Sequence, residues 1–369
     1  MKQEENNEDW RQALDRYRKE INGVDEQIIS LLSRRQTIAV AIGQIKRDLG
    51  LEVLDPAREK EVLKRLTSKN LKNLTKETIS HIFNEIISSA RLVQEPLSVA
   101  FLGPDATFSH QAAISIFGRS VSFRAVETIE EVFSLVEKGI CRQGVVPIEN
   151  SYEGAVNSTM DLLYKYDLKI SSELFLRIRH NLLSKSESIS KIKCLYSHPM
   201  PVAQCRSWIK NHLSGILIRE VGSTSLAARM AADDPESAAV GSRLSAATYG
   251  LNMLEENIED SPDNVTRFLA VGKVETAPTG KDKTSILFFL NDKSGALYKA
   301  LESLVKRNIN MTRIESRPMK TRNWEYLFFA DIEGHEQDSN VHEAIKEMEE
   351  RCAFLKRLGS FPSGDEPWS

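Results

Sequence analysis

Between Trp10 and Leu49 the apolar residues Ile21, Val24, Ile28, Leu31, Ile38, Ile42, Ile45 and Leu49 recur in alternating steps of three and four. That spacing keeps them on one stripe of a long helix and reads as a heptad-like seam. "LDPAREKEVLKRL" then restarts helix, with Asp55 as N-cap and Pro56 at the first helical position. A third helix is expected from about Thr75 to Gln94, and Pro96 stops it. Three helices of which one is this long are too extended for a compact monomeric bundle, so a second copy of the chain is expected to supply the missing packing.

From Leu97 to Val274 the pattern changes. Short apolar runs, "LSVAFLG", "GVVPIEN", "IKCLYSH", "ESAAVGS" and "RFLAVG", alternate with the helical stretches "TIEEVFSLVEKG", "AVNSTMDLLYKY", "QCRSWIKNHL" and "STSLAARMAA". This is α/β alternation. After the linker "KVETAPTGKD", residues 283 to about 358 read as strand "TSILFFLN", helix "GALYKALESLVKRN", strands "INMTRIESRP" and "WEYLFFADIEG", and helix "VHEAIKEMEERCAFLKRL". The βαββα order predicts a small ferredoxin-like sandwich missing only a last strand, with "GSFPSGDEPWS" as a loose tail. The expected fold class is thus multidomain: an all-helical domain over 11–95, an α/β domain over 97–274 and a ferredoxin-like domain over 283–358.

Length and charge narrow the partners. The 369 residues suffice for two to three domains, and 27% charged residues with a net charge of -3 give no strongly basic balance. Nucleic acid and membrane surfaces are therefore not expected partners; small molecules and protein are. The acidic, polar N-terminus lacks the basic start and apolar run of a secretory signal, and no stretch of 18 apolar residues occurs, so a cytoplasmic location is expected. The four cysteines form no C-x-x-C unit and the seven histidines no H-E-x-x-H pair, which predicts free thiols and no metal. Cys205, beside Gln204, is expected to be a semi-buried filler and not a nucleophile.

Charges interrupt the helical seam. Arg35 falls between Leu31 and Ile38, and Lys46, eleven positions on, lies within about 20 degrees of it around an ideal helix. Arg18 lies near the same belt. Glu59 shares the line of Val62 and Leu66, and Gln94 extends that of Phe83, Ile87 and Ala90. These groups fit a buried cavity for a small polyanion, with a solvated seam or a structural ion pair as the alternative.

In the middle segment, Thr107 and Ser109 read by themselves as ordinary helix caps. Glu149, Asn150 and Ser151 end a strand before Gly154, the position where ligands sit in α/β folds. No P-loop and no G-x-G-x-x-G element occurs, which disfavours ATP and nicotinamide; no cofactor is expected. In "NVTRFLAVG", Thr266 and Arg267 place polar chemistry at the mouth of a buried strand. Asn264 is a formal glycosylation acceptor that the expected cytoplasmic location reassigns to a turn.

"YRKEINGVDEQIISLLSRRQTIAVAIGQIK" followed by "DPARE" resembles the all-helical chorismate mutase domain, which acts as an intertwined dimer. The resemblance implies that Arg18, Arg35, Lys46, Asp55, Arg58, Glu59 and Gln94 occupy its active-site positions, with Arg18 reaching the other subunit's pocket. Arg18 and Arg35 would hold the two carboxylates and Arg58 would add charge near the ring. Glu59 and Asp55 would address the hydroxyl, and Lys46 and Gln94 would hydrogen-bond the ether oxygen as the C–O bond breaks. Such a unimolecular rearrangement needs a selected conformer and fixed donors, and no general base.

"GPDATFSHQAA", "VVPIENSYEGAV", "STSLAARMA" and "IEDSPDNVTRFLAVG" resemble prephenate dehydratase, two α/β lobes with the active site between them. This implies Thr107, Asn150, Ser151, Ser197, Gln204, Thr266 and Arg267 as site residues. Arg267 would pair with a substrate carboxylate and Thr266 would donate to the leaving hydroxyl. Ala106 stands where that family usually has a second glycine; a positive φ there would cost about 1 kcal/mol. "GALYKAL" and "ESRP" resemble the ACT regulatory domain, which implies phenylalanine binding near Gly295, Ala296, Leu297, Glu315, Ser316, Arg317 and Pro318, with end-product inhibition.

The domain order is similar to that of bifunctional chorismate mutase/prephenate dehydratases. The expected ligands are accordingly chorismate, prephenate and phenylalanine, in a homodimer or higher homo-oligomer. Two competing readings keep dehydratase activity alone, with the helical segment retained for dimerisation, or make the chain a non-catalytic phenylalanine sensor.

Overall fold

The structure, a computed structural model, describes residues 2–69, 72–291, 293–318 and 326–364, with side chains from Trp10 onward. Three helices come first: α1 (Lys2–Asp48), α2 (Pro56–Thr67) and α3 (Lys76–Gln94). At 1.5 Å per residue α1 is about 70 Å long, and its second half meets α3, through Arg35 to Ile86, Gln36 to Ser89 and Arg47 to Gln94. Asp55 caps α2 by accepting from Arg58 N, with Pro56 at the first position, and Thr75 caps α3 by accepting from Thr78 N. The α1 seam is bare within one chain; Ile21 is 60% and Leu31 65% exposed.

Next come β1 (Ser98–Leu102), α4 (Phe108–Phe117), β2 (Ser122–Val126), α5 (Ile129–Glu137), β3 (Gln143–Asn150), the short β4 (Gly154–Ala155), α6 (Asn157–Lys165) and β5 (Lys169–Arg177). A second lobe holds β6 (Asn181–Ser184), β7 (Cys194–Ser197), α7 (Pro199–Gln204), α8 (Arg206–His212), β8 (Leu217–Glu220), α9 (Thr224–Asp233), β9 (Ser237–Gly241), α10 (Arg243–Tyr249) and β10 (Asn252–Glu255). The chain then returns to the first lobe with β11 (Val265–Gly272). The first sheet has the order β2-β1-β3-β11-β5, with β4 on β3, and the second β10-β6-β9-β7-β8. β11 is antiparallel to both its neighbours, so "NVTRFLAVG" ends up as a central strand with every residue from Val265 buried.

The last part comprises β12 (Asp282–Phe289), α11 (Ala296–Val305), β13 (Met311–Pro318), β14 (Tyr326–Glu333), α12 (Ser339–Arg351) and β15 (Phe354–Pro362). The expected second helix stops at Arg351, and the stretch from Phe354 supplies the missing strand, completing βαββαβ in the order β13-β14-β12-β15. "GSFPSGDEPWS" is correspondingly corrected: Gly359 to Pro362 are strand paired with β12, while residues 365–369 lie outside the described residues. β15 also crosses the first lobe. A Cβ on Gly359 would stand 2.8 Å from the Ile170 carbonyl oxygen, so glycine permits that approach.

Packing fuses the third sheet to the first. Ile170, Leu269, Val271, Val146 and Leu163 share one buried cluster with Leu287, Phe289, Leu327, Phe329, Leu358 and Phe361. The opposite face of the first sheet packs Phe268, Ala270, Val145 and Phe101 against Ala112 and Phe117 of α4. Among the described residues no helix is long and apolar enough to cross a membrane.

Candidate active sites

In the helical segment, Lys46 from α1 donates through Nζ to the Val53 carbonyl at 3.0 Å, at the bend into α2. Gln94 lies against Gly43 of α1, where a Cβ would stand 2.7 Å from its Cγ, and its Nε2 donates to the Ala90 carbonyl at 3.0 Å. Glu59 is half-buried near Lys46 and Asp55. Burial raises its pKa from the ordinary carboxylate value, Arg91 and Lys46 oppose that rise, and Asp55 adds to it. Arg35 donates to the Ile86 carbonyl at 3.3 Å, and burial lowers its pKa.

Lys46, Asp55 and Glu59 therefore meet within one chain, and Gln94 packs on α1 at Gly43, three residues before Lys46. Arg18 and Arg58 do not join them: both are exposed, with Arg18 3.6 Å from Asp15 and Arg58 2.6 Å from Glu61. Arg18 lies 28 residues before Lys46 on the same helix, about 42 Å away. The sequence reading missed Arg91, which is buried with Nε 3.2 Å from Glu59 and which donates to the Phe117 carbonyl at 2.6 Å. Its place three residues before Gln94 on the inner stripe of α3 was the available signal.

In the middle segment a directed hydrogen-bond chain joins the lobes. Asn150 Oδ1 accepts from the Tyr152 and Glu153 amides at 2.9 and 3.2 Å, which fixes the orientation of its amide. Its Nδ2 then donates to Thr266 Oγ1 at 2.8 Å and to Asn264 Oδ1 at 2.9 Å. Asn264 Nδ2 in turn donates to Gln204 Oε1 at 3.1 Å, and His180 Nε2 lies 2.7 Å from the same oxygen. Since that oxygen can only accept, His180 carries its proton on Nε2. Burial holds the His180 pKa below the ordinary histidine value, although Gln204 and Glu259 raise it.

Ser151 completes the mouth of the strand. Its hydroxyl donates to the Asp263 carbonyl at 3.1 Å and accepts from Val265 N at 3.0 Å. Ser197 is buried at the end of β7, donating to the His198 carbonyl at 3.0 Å. Thr107 is the N-cap of α4: it accepts from His110 N and donates to the Leu102 carbonyl, the capping role its sequence context favours. Ala106 has φ 64°, and its carbonyl accepts from Ser245 at 2.9 Å, while the Asp105 carbonyl accepts from Ser225. The start of α4 thus touches the second lobe near the start of α9.

Two residues differ from expectation. Asn264 is no simple turn residue; at 2% exposure it is the central link between Asn150 and Gln204. Arg267 is corrected: on a β-strand, neighbours point to opposite faces, and its guanidinium lies behind the sheet from Thr266. Nε donates to Glu173 at 2.7 Å and Nη1 bonds Asp331 of β14, at 4% residue exposure. Burial alone would lower its pKa, but Asp331 and Glu173 raise it above the ordinary arginine value. Arg267 is therefore committed to protein carboxylates and is unavailable to a substrate carboxylate in this arrangement. Cys205 is fully buried, and burial pushes its thiol pKa up, away from nucleophilic thiolate.

In the third sheet, Phe289 and Arg317 both pair with Leu327 from opposite sides. The "GALYKAL" and "ESRP" stretches therefore follow or end strands at the same edge, about 10 Å apart across two strand spacings. Gly295 has φ 77° at the start of α11, with Ala296 and the partly exposed Leu297 following. Glu315 and Ser316 pair with Phe329 and Phe328, and Arg317 reaches Asp161 of α6 at 2.8 Å, with Pro318 ending the strand.

Family models match three consecutive stretches: chorismate mutase type II over residues 17–95, prephenate dehydratase over 99–276 and the ACT domain over 284–350. A bifunctional chorismate mutase/prephenate dehydratase of Aquifex aeolicus (strain VF5) is 45% identical over 355 residues, 95% of this chain and 98% of the relative. The crystal structure of prephenate dehydratase in complex with L-Phe from Arthrobacter aurescens superposes with a TM-score of 0.67 at 33% identity, covering 72% of this chain and 90% of that one. A structure described as a novel type of quorum quenching acylase gives a TM-score of 0.66 at 29% identity, covering 73% and 99%.

Proposed function

The chain belongs to the bifunctional chorismate mutase/prephenate dehydratase family, and on that premise we propose which of its groups carry the two reactions. The enzyme rearranges chorismate to prephenate and then decarboxylates and dehydrates prephenate to phenylpyruvate, in phenylalanine biosynthesis with feedback by phenylalanine. It acts in the cytoplasm as a homodimer or larger assembly. The bare α1 seam supports the assembly, since about 25 cal/mol is gained per Å² of apolar surface that a second copy covers.

For the rearrangement, Lys46 and Gln94 are the donors that meet the ether oxygen as its C–O bond breaks, and Glu59 with Asp55 addresses the ring hydroxyl. Arg35 with an Arg18 from the other subunit holds the carboxylates, and Arg58 adds positive charge at the rim. The Arg91–Glu59 ion pair orients Glu59.

For the dehydratase step the supporting observation is the polarity of the Asn150–Thr266 hydrogen bond. Thr266 Oγ1 is an acceptor there, which leaves its own hydrogen free to donate to the leaving hydroxyl of prephenate. Asn150, Ser151, Ser197 and Gln204 align the ring, and Thr107 fixes the start of α4. With Arg267 engaged elsewhere, the substrate carboxylates are met by the amides and dipoles at the starts of α4 and α9. As the ring becomes aromatic, the bond from the ring to its carboxylate breaks to release carbon dioxide, and the freed electron pair, passing through the ring, expels the hydroxide that Thr266 assists.

Two substitutions in the full-length chain test the assignment. Thr266→Val keeps the strand shape and is expected to lower prephenate turnover by about 10²-fold or more while sparing chorismate rearrangement. Lys46→Ala is expected to do the reverse. Near-wild-type prephenate turnover in Thr266→Val would remove Thr266 from the site.

A further inference from the structure

Asn150 and Thr266 face each other across β3 and β11, and so do their neighbours Glu149 and Arg267. The register shifts between Arg267 and Phe268, leaving Ile148 as an extra residue on β3. Such a bulge sends Ile148 and Glu149 to the same side of the sheet, away from the cleft and toward β13 and β14. Each of the two cleft residues therefore has a charged neighbour aimed at the C-terminal sheet.

The partners there alternate in sign. Lys283 lies 3.1 Å from Glu173, Glu173 pairs with Arg267, Arg267 with Asp331, and Arg313 of β13 stands opposite Asp331 and 3.1 Å from Glu149. Three cations and three carboxylates thus run behind the two strands that hold Asn150 and Thr266. Arg313 is the loosest member. Its guanidinium is buried over the Phe329 ring at 5.1 Å, yet none of its three nitrogens makes a well-aligned hydrogen bond, so charge holds it, with Glu149 as the one ion-pair partner within 4 Å among the described residues and Asp331 and Glu315 adding attraction from further off. Burial lowers its pKa, helped by the nearby Arg267 cation and opposed by Glu149, Asp331 and Glu315. A buried cation with one close carboxylate and no aligned hydrogen bond is sensitive to small displacements of the strand that carries it.

That strand also carries Glu315 to Pro318. Its Arg317 grips Asp161 and the Asn157 carbonyl at the start of α6, so β13 holds both ends of the stretch from Glu149 to Asp161, which includes Asn150 and Ser151. We propose that Arg313 is a positioning residue of the dehydratase site: it holds Glu149, and thereby Asn150, in register with Thr266, and phenylalanine acts on turnover by changing that hold. The inference rests on the proposed roles of Asn150, Thr266 and the Glu315–Pro318 edge.

The test uses the full-length enzyme with Arg313→Gln, Arg313→Lys and Glu149→Gln, measuring both turnovers, phenylalanine binding by calorimetry and inhibition of prephenate turnover. Arg313→Gln is expected to lower prephenate kcat about tenfold with KM within about twofold, and to weaken inhibition at least about fivefold while phenylalanine still binds. Glu149→Gln should reproduce both changes, Arg313→Lys should restore most of the loss, and chorismate turnover should be unchanged throughout. Wild-type kcat and inhibition in Arg313→Gln would overturn the inference. So would a joint loss of both turnovers and of binding that Arg313→Lys does not restore and Glu149→Gln does not share. Absence of prephenate turnover or phenylalanine binding in the wild type would instead strike the functional reading itself, and the inference with it.

Discussion

Ala106 holds a left-handed backbone with φ 64°, while its carbonyl is tied to Ser245 of the second lobe and its amide donates to His110 Nδ1 at 3.0 Å. The conformation is imposed by those bonds, and a Cβ there costs energy that glycine would not. Ala106→Gly is expected to stabilise the protein by about 1 kcal/mol in denaturant unfolding, with activity retained; a loss of stability would show that the Ala106 methyl, 1% exposed, contributes more by packing. His180 gives a pH signature. Its folded-state pKa is depressed by burial, so the unfolded chain takes the proton first as pH falls. Its contribution is complete above the ordinary value of 6.5 and is lost on acidification through the depressed one. His110 shifts the same way, so the readout is the difference from His180→Gln. Below 6.5 the melting temperature of wild type should fall more steeply than that of the variant, and parallel curves would exclude His180 as the titrating group. At this scale the sequence was half legible. Thr266 and Asn150 stood out as polar groups at strand ends, whereas His180, Asn264 and Arg91 did not, because each acquires its role from a partner 24 to 114 residues away.

Among the elements, periodicity was the reliable signal where local spacing and burial agree. The start of the third helix near Thr75, the α/β alternation and the buried strand β11 all follow from it, and the Asp55-Pro56 pair marked the start of α2. Phe354 to Leu358 misled because Leu355 and Leu358 continue a helical spacing with no glycine or proline before Gly359. The helix nevertheless ends at Cys352, with ψ 152°, since pairing with β12 satisfies the backbone from there on. The α1 seam makes its own prediction. Leu31→Asp places a charge on a stripe that one chain leaves uncovered, and sedimentation should show a smaller species with chorismate turnover reduced and prephenate turnover less affected. An unchanged assembly would show that other surfaces hold the copies together.

For the whole molecule, three domains in a row were readable from the order of patterns, but their mutual packing was not. Nothing in "TRIESRP" announces that Arg313 and Arg317 reach the back of the catalytic sheet, nor in "TRF" that Arg267 turns to Asp331. Those contacts depend on which faces of two sheets share a core, a relation between stretches far apart in the chain. Because the regulatory sheet and the first lobe bury one common cluster, a displacement of the former is felt directly by the strands that hold Asn150 and Thr266. Whether one chain performs both reactions and answers to phenylalanine is decided by turnover of chorismate and of prephenate by the purified full-length protein, each with and without phenylalanine. Turnover of both substrates is expected, with prephenate turnover suppressed by phenylalanine; failure to convert either substrate, or prephenate turnover indifferent to phenylalanine, would contradict a bifunctional, regulated enzyme.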